Sequence, residues 1–212
     1  MVEPVKRAYK SAVREEQAAL TRTRILEAAA ELFIAQGYGR TTIREIATSA
    51  GVVPETVYAN FGSKARLLTA LLDLRLAPEG QASILDRPQT QAMREERDPR
   101  HLLHLFAQDY AAMSERVRPV SEILRTAKAV EPEIALVRDE IEGHRFAYMR
   151  TIAHWLEAVG DLRVHLDRAA EIIWALASPD VGRMLCDVRG WSRDQYAEWL
   201  EDTLAHALLR ER

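Results

Sequence analysis

The sequence predicts an all-α protein, a small N-terminal helix-turn-helix domain of three helices followed by a larger helical body. Two observations carry that prediction. Apolar residues recur at helical spacing along most of the chain, and no segment alternates apolar and polar residues over the length of a strand. Glycines and prolines fall where those helical patterns stop or start. The most informative stretch is residues 41–61. Thr42 and Glu45 have the spacing of a capping box, in which Thr42 accepts from the Glu45 N–H and Glu45 reaches back to the Thr42 N–H. Ile43, Ile46, Ala47 and Ala50 give the first short helix an apolar face. Gly51 stops it, because glycine takes the left-handed conformation without a Cβ clash. Pro54 stands where a second helix would begin, its φ already near the helical value. Two short helices around a glycine-containing turn form a helix-turn-helix, whose second helix enters the DNA major groove. Spacing alone fits an ordinary helical hairpin equally well.

The flanking residues add to that reading. Asn60-Phe61-Gly62-Ser63-Lys64 closes the second helix and opens another with Ser63 as N-cap, and free N–H groups beside Lys64 make a phosphate clamp. Upstream runs Ile25-Leu26-x-Ala28-Ala29-x-x-Leu32-Phe33-x-x-x-Gly37-Tyr38. With Thr41-Thr42-Ile43-x-x-Ile46-Ala47, Ala50-Gly51-Val52, Thr56-Val57-Tyr58-x-x-Phe61 and Ser63-Lys64, this resembles the DNA-binding domain of TetR-family repressors. Beyond this stretch the chain resembles the family only in helical layout. The resemblance implies a homodimeric repressor that binds a pseudo-palindromic double-stranded operator and is released by an unknown small-molecule effector. Residues 1–62 would be the DNA-binding domain and 63–212 the ligand-binding and dimerisation domain. The helix at 63–76, with leucines at 67, 68, 71, 72, 74 and 76, would join them.

Within the first domain, Thr41, Thr42, Tyr58 and Lys64 are expected on phosphates and Val53, Pro54, Glu55 and Thr56 on bases, with Arg44 also at the DNA. Val53 departs from the family pattern, which has a Ser or Thr N-cap there. Glu55 offsets the lost cap through the helix dipole and could accept from a cytosine N4. Residues 1–16 carry Lys6, Arg7, Lys10 and Arg14 and read as a frayed tail or as a basic arm adding phosphate and minor-groove contacts.

Composition agrees. A hydrophobic content of 48% and a charged content of 29% suit a globular core. Residues 1–75 hold 11 Lys and Arg against 8 Asp and Glu, whereas the remainder holds 18 against 24, a basic front and an acidic back. No apolar run reaches membrane-span length, no signal peptide is legible, and the single cysteine, Cys186, fits a reducing cytoplasm and reads as a small buried hydrophobe.

The body is expected to be helical throughout. Residues 77–98 read as a polar connection with a helical turn in it. Asp98-Pro99 starts a helix to about residue 116, and Arg118-Pro119 breaks it from another that runs to about 129. Glu131-Pro132 opens a long helix to Val159, ended by Gly160. Asp167 caps a helix to Ala177, and Ser178-Pro179 begins a short one to about 188. After Gly190, Ser192 and Gln195 form a second capping box that opens the last helix.

Catalytic motifs, cofactor loops and metal-ligand spacings are missing, and His101 and His104 lack a third ligand in sequence, so neither cofactor nor metal is expected. The family resemblance implies a pocket in the body, for which Phe106, Tyr110, Met113, Phe146, Met149 and Trp174 supply an apolar lining with polar handles. Arg125 could pair with an acidic ligand. The dimer is expected through residues 167–177 and 192–209, with Ile172, Tyr196, Trp199, Leu200, Leu204 and Leu208 at the interface. A DNA-binding protein without an effector and an all-helical enzyme are the alternative readings.

Overall fold

The computed structural model describes residues 4–76, 83–127, 132–160 and 162–210, with side chains for all of these except 4–15 and 132. The helices are α1 (Pro4–Gln36), α2 (Ile43–Ser49), α3 (Pro54–Phe61), α4 (Lys64–Leu76), α5 (Pro88–Glu95), α6 (Pro99–Ala127), α7 (Pro132–Val159), α8 (Leu166–Leu176), α9 (Pro179–Gly182) and α10 (Arg193–Leu208). A 3₁₀ turn, Ile84–Asp86, precedes α5, and a π-helical turn, Arg183–Val188, continues α9. The described residues contain no strand, only an isolated bridge between Leu162 and Leu209. The chain is all-α, as the periodicity predicts.

It divides into two compact units. The first comprises Met1–Leu71 and Glu122–Ala135, the second Leu72–Ser121 and Leu136–Arg212. The core of the first is built from Ile25, Ala29 and Phe33 of α1, Ile46 and Ala47 of α2, Val57 of α3 and Ala65 and Leu68 of α4, all buried. Each large apolar side chain among them contributes about 1.5–3 kcal/mol. The second unit packs Leu102, Phe106 and Tyr110 of α6, Met149, Ile152 and Leu156 of α7, Ile173 of α8 and Leu200, Leu204 and Leu208 of α10.

Four local expectations are corrected. Residues 4–16 are the first turns of α1 rather than a frayed tail; the side chains of Lys6, Arg7, Lys10 and Arg14 lie outside those described. Residues 88–95 form a helix rather than a single turn. Arg87, just ahead of it, pairs through both terminal nitrogens with Asp109, and both side chains are nearly inaccessible, at 4% and 7%. Pro119 does not break α6, which runs unbroken past it. Its missing N–H and ring clash cost about 3 kcal/mol, whereas Val117, Val120, Ile123 and Leu124 beside it are all buried, and their combined burial exceeds that cost. Finally, α8 has His165 at its N-cap without a side-chain cap, and Asp167 sits inside the first turn, where it favours the dipole without capping.

Candidate functional site

The turn between α2 and α3 is built as its residues require. Thr42 caps α2 by accepting from the Glu45 N–H at 3.2 Å, and Glu45 Oε2 accepts from the Thr42 N–H at 2.8 Å. These bonds, the backbone one first, hold the Glu45 carboxyl below its ordinary pKa. At the other end the Gly51 N–H donates to Thr48 O and the Val52 N–H to Ala47 O, a Schellman closure that needs the left-handed φ of 66° at Gly51. Helix α3 then begins with Pro54 in its first turn and no side-chain cap from Val53. Val57 and Phe61, one turn apart, are buried inward. On the outward side Val53 is 58% and Tyr58 53% exposed, with Glu55 exposed and Pro54 and Thr56 half-buried. Val53, Glu55 and Tyr58 thus leave the outward side of α3 open to solvent.

Among the other expected DNA residues, Thr42 and Arg44 are exposed. Thr41 is not: it is 1% exposed, and its hydroxyl donates toward Gly37 O at 2.9 Å and Leu32 O at 3.3 Å while accepting from Gln36. Its side chain ties the end of α1 to α2 and is turned away from any phosphate. Lys64 is half-buried, its Nζ donating to Tyr38 O at 3.1 Å and Thr41 O at 3.2 Å and lying 4.1 Å from the centroid of the Tyr38 ring. Its ammonium is a brace for the α1–α2 connection. Ser63 does cap α4, accepting from the Arg66 N–H, and its hydroxyl donates to Glu133 Oε1 at 2.7 Å. Sequence reasoning missed Arg22, which donates to Asn60 O at the end of α3 and covers the Phe61 ring at 4.5 Å. A basic residue at a helix C-terminus complements the dipole, but its partner lies 38 residues on, so no local pattern announces it.

In the second unit, Phe106, Tyr110, Met113 and Met149 are buried, and Phe146 and Trp174 half-buried. Phe106 and Tyr110 lie with ring centroids 5.8 Å apart, and Phe146 meets Trp174 edge-on at 6.4 Å. Burial drives the Tyr110 hydroxyl pKa strongly upward, leaving it a neutral donor. Arg125 belongs to the first unit, is exposed, and pairs with Glu122 one turn back on its own helix. A cation beside the aromatics within the second unit is Arg145, unnoticed in the sequence although it stands beside Phe146. Its guanidinium lies 4.6 Å from the centroid of the Trp174 ring, donates to Trp174 O and Ala177 O at 2.7 and 2.9 Å, and pairs with Glu142 at 2.8 Å.

Comparison with known proteins bears on this arrangement. The family described as bacterial regulatory proteins, tetR family, matches residues 25–71, the span from α1 through α4 just described. The transcriptional regulator TtgR of Pseudomonas putida is 46% identical over 59 residues, 28% of this chain and 28% of TtgR. The structure of NalD, the secondary repressor of the MexAB-OprM multidrug efflux pump in Pseudomonas aeruginosa, is similar over nearly the whole chain. It is 26% identical, covers 91% of this chain and 98% of NalD, and superposes with a TM-score of 0.65. Residues 25–71 match the TetR family's DNA-binding domain, and the curated relatives are matched over only about a third or less of this chain. A complex of SmeT with triclosan shares the fold at 21% identity and a TM-score of 0.64, covering 90% and 92% of the two chains.

The expected dimer residues need correction. Tyr196 is 1% exposed and Leu200, Leu204 and Leu208 are 0% exposed within a single chain. The stripe of α10 is consumed by its own unit, because the same i, i+4 spacing that would suit a partner suits the core beneath it. Ile172 of α8 and Trp199 of α10 stay half-buried, as do Leu176, Thr203 and Ala207. Cys186, expected to be buried, is only partly so, and what burial it has pushes its thiol pKa up, away from reactivity. Among the described residues no helix is long and apolar enough to cross a membrane, and no group of three or more His, Cys, Asp or Glu could hold a metal.

Proposed function

We propose that the protein is a transcriptional repressor that binds a pseudo-palindromic DNA operator as a homodimer and is released by a small molecule, acting in the cytoplasm where that DNA lies. The observation that carries this reading is the exposed face of α3, where Val53, Glu55 and Tyr58 stand outward on a helix anchored by Val57 and Phe61. A helix so presented fits a major groove, with Val53, Pro54, Glu55 and Thr56 toward base edges and Thr42, Arg44 and Tyr58 toward phosphates. NalD represses an efflux pump and SmeT is found with triclosan; the first supports repression and the second a small molecule as effector here. The dimer would form through the half-buried residues Ile172, Leu176, Trp199, Thr203 and Ala207, and would repeat one half-site contact about a two-fold axis. Release is a population shift: the effector lowers operator affinity by the ratio of its affinities for the two states and by no more.

The test is a footprint of the protein on the DNA flanking its own gene. A protected site with two-fold symmetry is expected, with affinity falling steeply with salt, by about 0.9 log units per log of salt for each phosphate neutralised. Absence of any protected site would remove the reading. On a randomised half-site, Glu55→Ala should relax the preference at one position; an unchanged preference would confine Glu55 to the helix dipole.

A further inference from the structure

Helix α3 is eight residues long, and its two ends are held by different means. A helix that short does not persist alone, so its placement depends on what it is tied to. Its N-terminus follows the closed turn at Gly51 and takes no side-chain cap from Val53. Its C-terminus ends at Gly62, whose φ of 76° lets its N–H return to Tyr58 O at 2.8 Å. The Asn60 carbonyl in that last turn takes a bond from outside the helix: Nη1 of Arg22, on α1, donates to it at 3.3 Å. The same guanidinium lies 4.5 Å from the centroid of the Phe61 ring, which is itself buried. Arg22, Ile25, Leu26 and Ala29 share one face of α1, and the last three are buried, so Arg22 stands on a fixed stem one turn before the core begins. A planar guanidinium can lie against a ring and donate along its edge at once, whereas an ammonium is a point charge that does one or the other.

We propose that Arg22 is a positioning residue for DNA reading: it ties the far end of α3 to α1 and so sets the tilt at which that helix meets a major groove, without touching a base. The inference rests on the reading of α3 as the helix that reads DNA. At about 1.5 Å per residue, α3 spans about 12 Å. A tilt of about 10° pivoting at the Gly51 turn moves its far end by about 2 Å, whereas hydrogen bonds to base edges hold only between about 2.7 and 3.2 Å. A helix loosened by that much loses its discrimination between bases first. Arg22 is exposed, so water competes for both partners of its bond and the bond adds little to stability. Its effect is on orientation. A direct phosphate contact is the other role open to an exposed guanidinium at the end of α3, and salt dependence separates the two.

Arg22→Ala and Arg22→Lys in the full-length protein decide it, first without DNA. In Arg22→Ala, amide hydrogen exchange over residues 58–62 should speed up about threefold or more, while exchange in Ile43–Ser49 of α2 stays as in the parent. A melting temperature lowered by more than about 2 °C would mark Arg22 as a general structural residue and overturn the proposal. Selection on a randomised half-site comes next. Arg22→Ala should shrink the preference for the best half-site over singly mismatched ones by about threefold or more, at an unchanged salt slope. Arg22→Lys should follow it, since an ammonium cannot hold both the ring and the carbonyl. Full preference in Arg22→Lys, or a salt slope lower by about 0.9 with preference kept in Arg22→Ala, would make Arg22 a phosphate contact and overturn the proposal. Unchanged exchange would overturn it as well. Repression fails separately. If no operator exists, the DNA-reading role falls with repression while exchange still decides whether Arg22 holds α3; if the operator is bound and both variants read it as the parent does, repression stands and this proposal does not.

Discussion

Lys64 Nζ, shared between the carbonyls of Tyr38 and Thr41, does work inside the first unit that its position at a helix start does not announce. A charged donor to a carbonyl is worth about 1.5–3 kcal/mol where desolvated, and Lys64 is half-buried. Lys64→Ala should therefore lower the melting temperature as well as weaken DNA binding at all sequences alike. A phosphate role alone would lower the salt slope by about one unit at unchanged stability, so melting and salt titration together separate the two. The Glu96 carboxylate accepts from the N–H groups of Asp98 and Arg97 and pairs with the His101 ring, which lowers its pKa from 4.5 to about 2. Folding thus favours the ionised form; the contribution is full above pH 4.5 and is lost as pH falls toward 2. Glu96→Gln should flatten that part of an acid-unfolding curve, and an unchanged slope would show these bonds do not persist in solution.

Among the elements, α2 and its turn were legible because each rule there is local: a Thr and a Glu three residues apart, then a glycine with φ of 66°. Helix α3 keeps a local defect, Val53 where a hydroxyl could cap. Val53→Thr should add about 1 kcal/mol by accepting from an orphan N–H of the first turn, a rise of about 2–4 °C in a chain of this size. No rise in a thermal scan would mean that the first turn is satisfied otherwise. The misread elements share a cause. Pro119 obeys a local rule that the buried valines and leucine around it override. Arg87 lies in a stretch without periodicity, and its partner Asp109 is 22 residues away, so nothing nearby marks it as buried. The aromatics of α6 and α7 were legible as a spaced set, whereas the absence of a hydrogen-bond partner at the Tyr196 hydroxyl and the Trp174 indole depends on what surrounds them in space.

At the scale of the whole molecule, the apolar stripe of α10 states that a face is buried and is silent on which chain buries it. Leu204 is 0% exposed in the single chain and packs in its own unit. Leu204→Glu would place an unpaired carboxylate in that core and should cost several kcal/mol, unfolding the second unit rather than parting a dimer. Ile172, on α8, is half-buried and remains available to a second copy. A two-fold axis uses each interface residue twice, so Ile172→Glu sets two carboxylates against each other at little cost to the single chain. Sedimentation should find Ile172→Glu monomeric with its helical circular dichroism retained, and its operator affinity should fall to that of a lone half-site. Leu204→Glu should instead lose helix content at whatever association state it shows. A dimeric Ile172→Glu that still binds the operator tightly would move the interface away from α8, to surfaces that the stripe of α10 never pointed to.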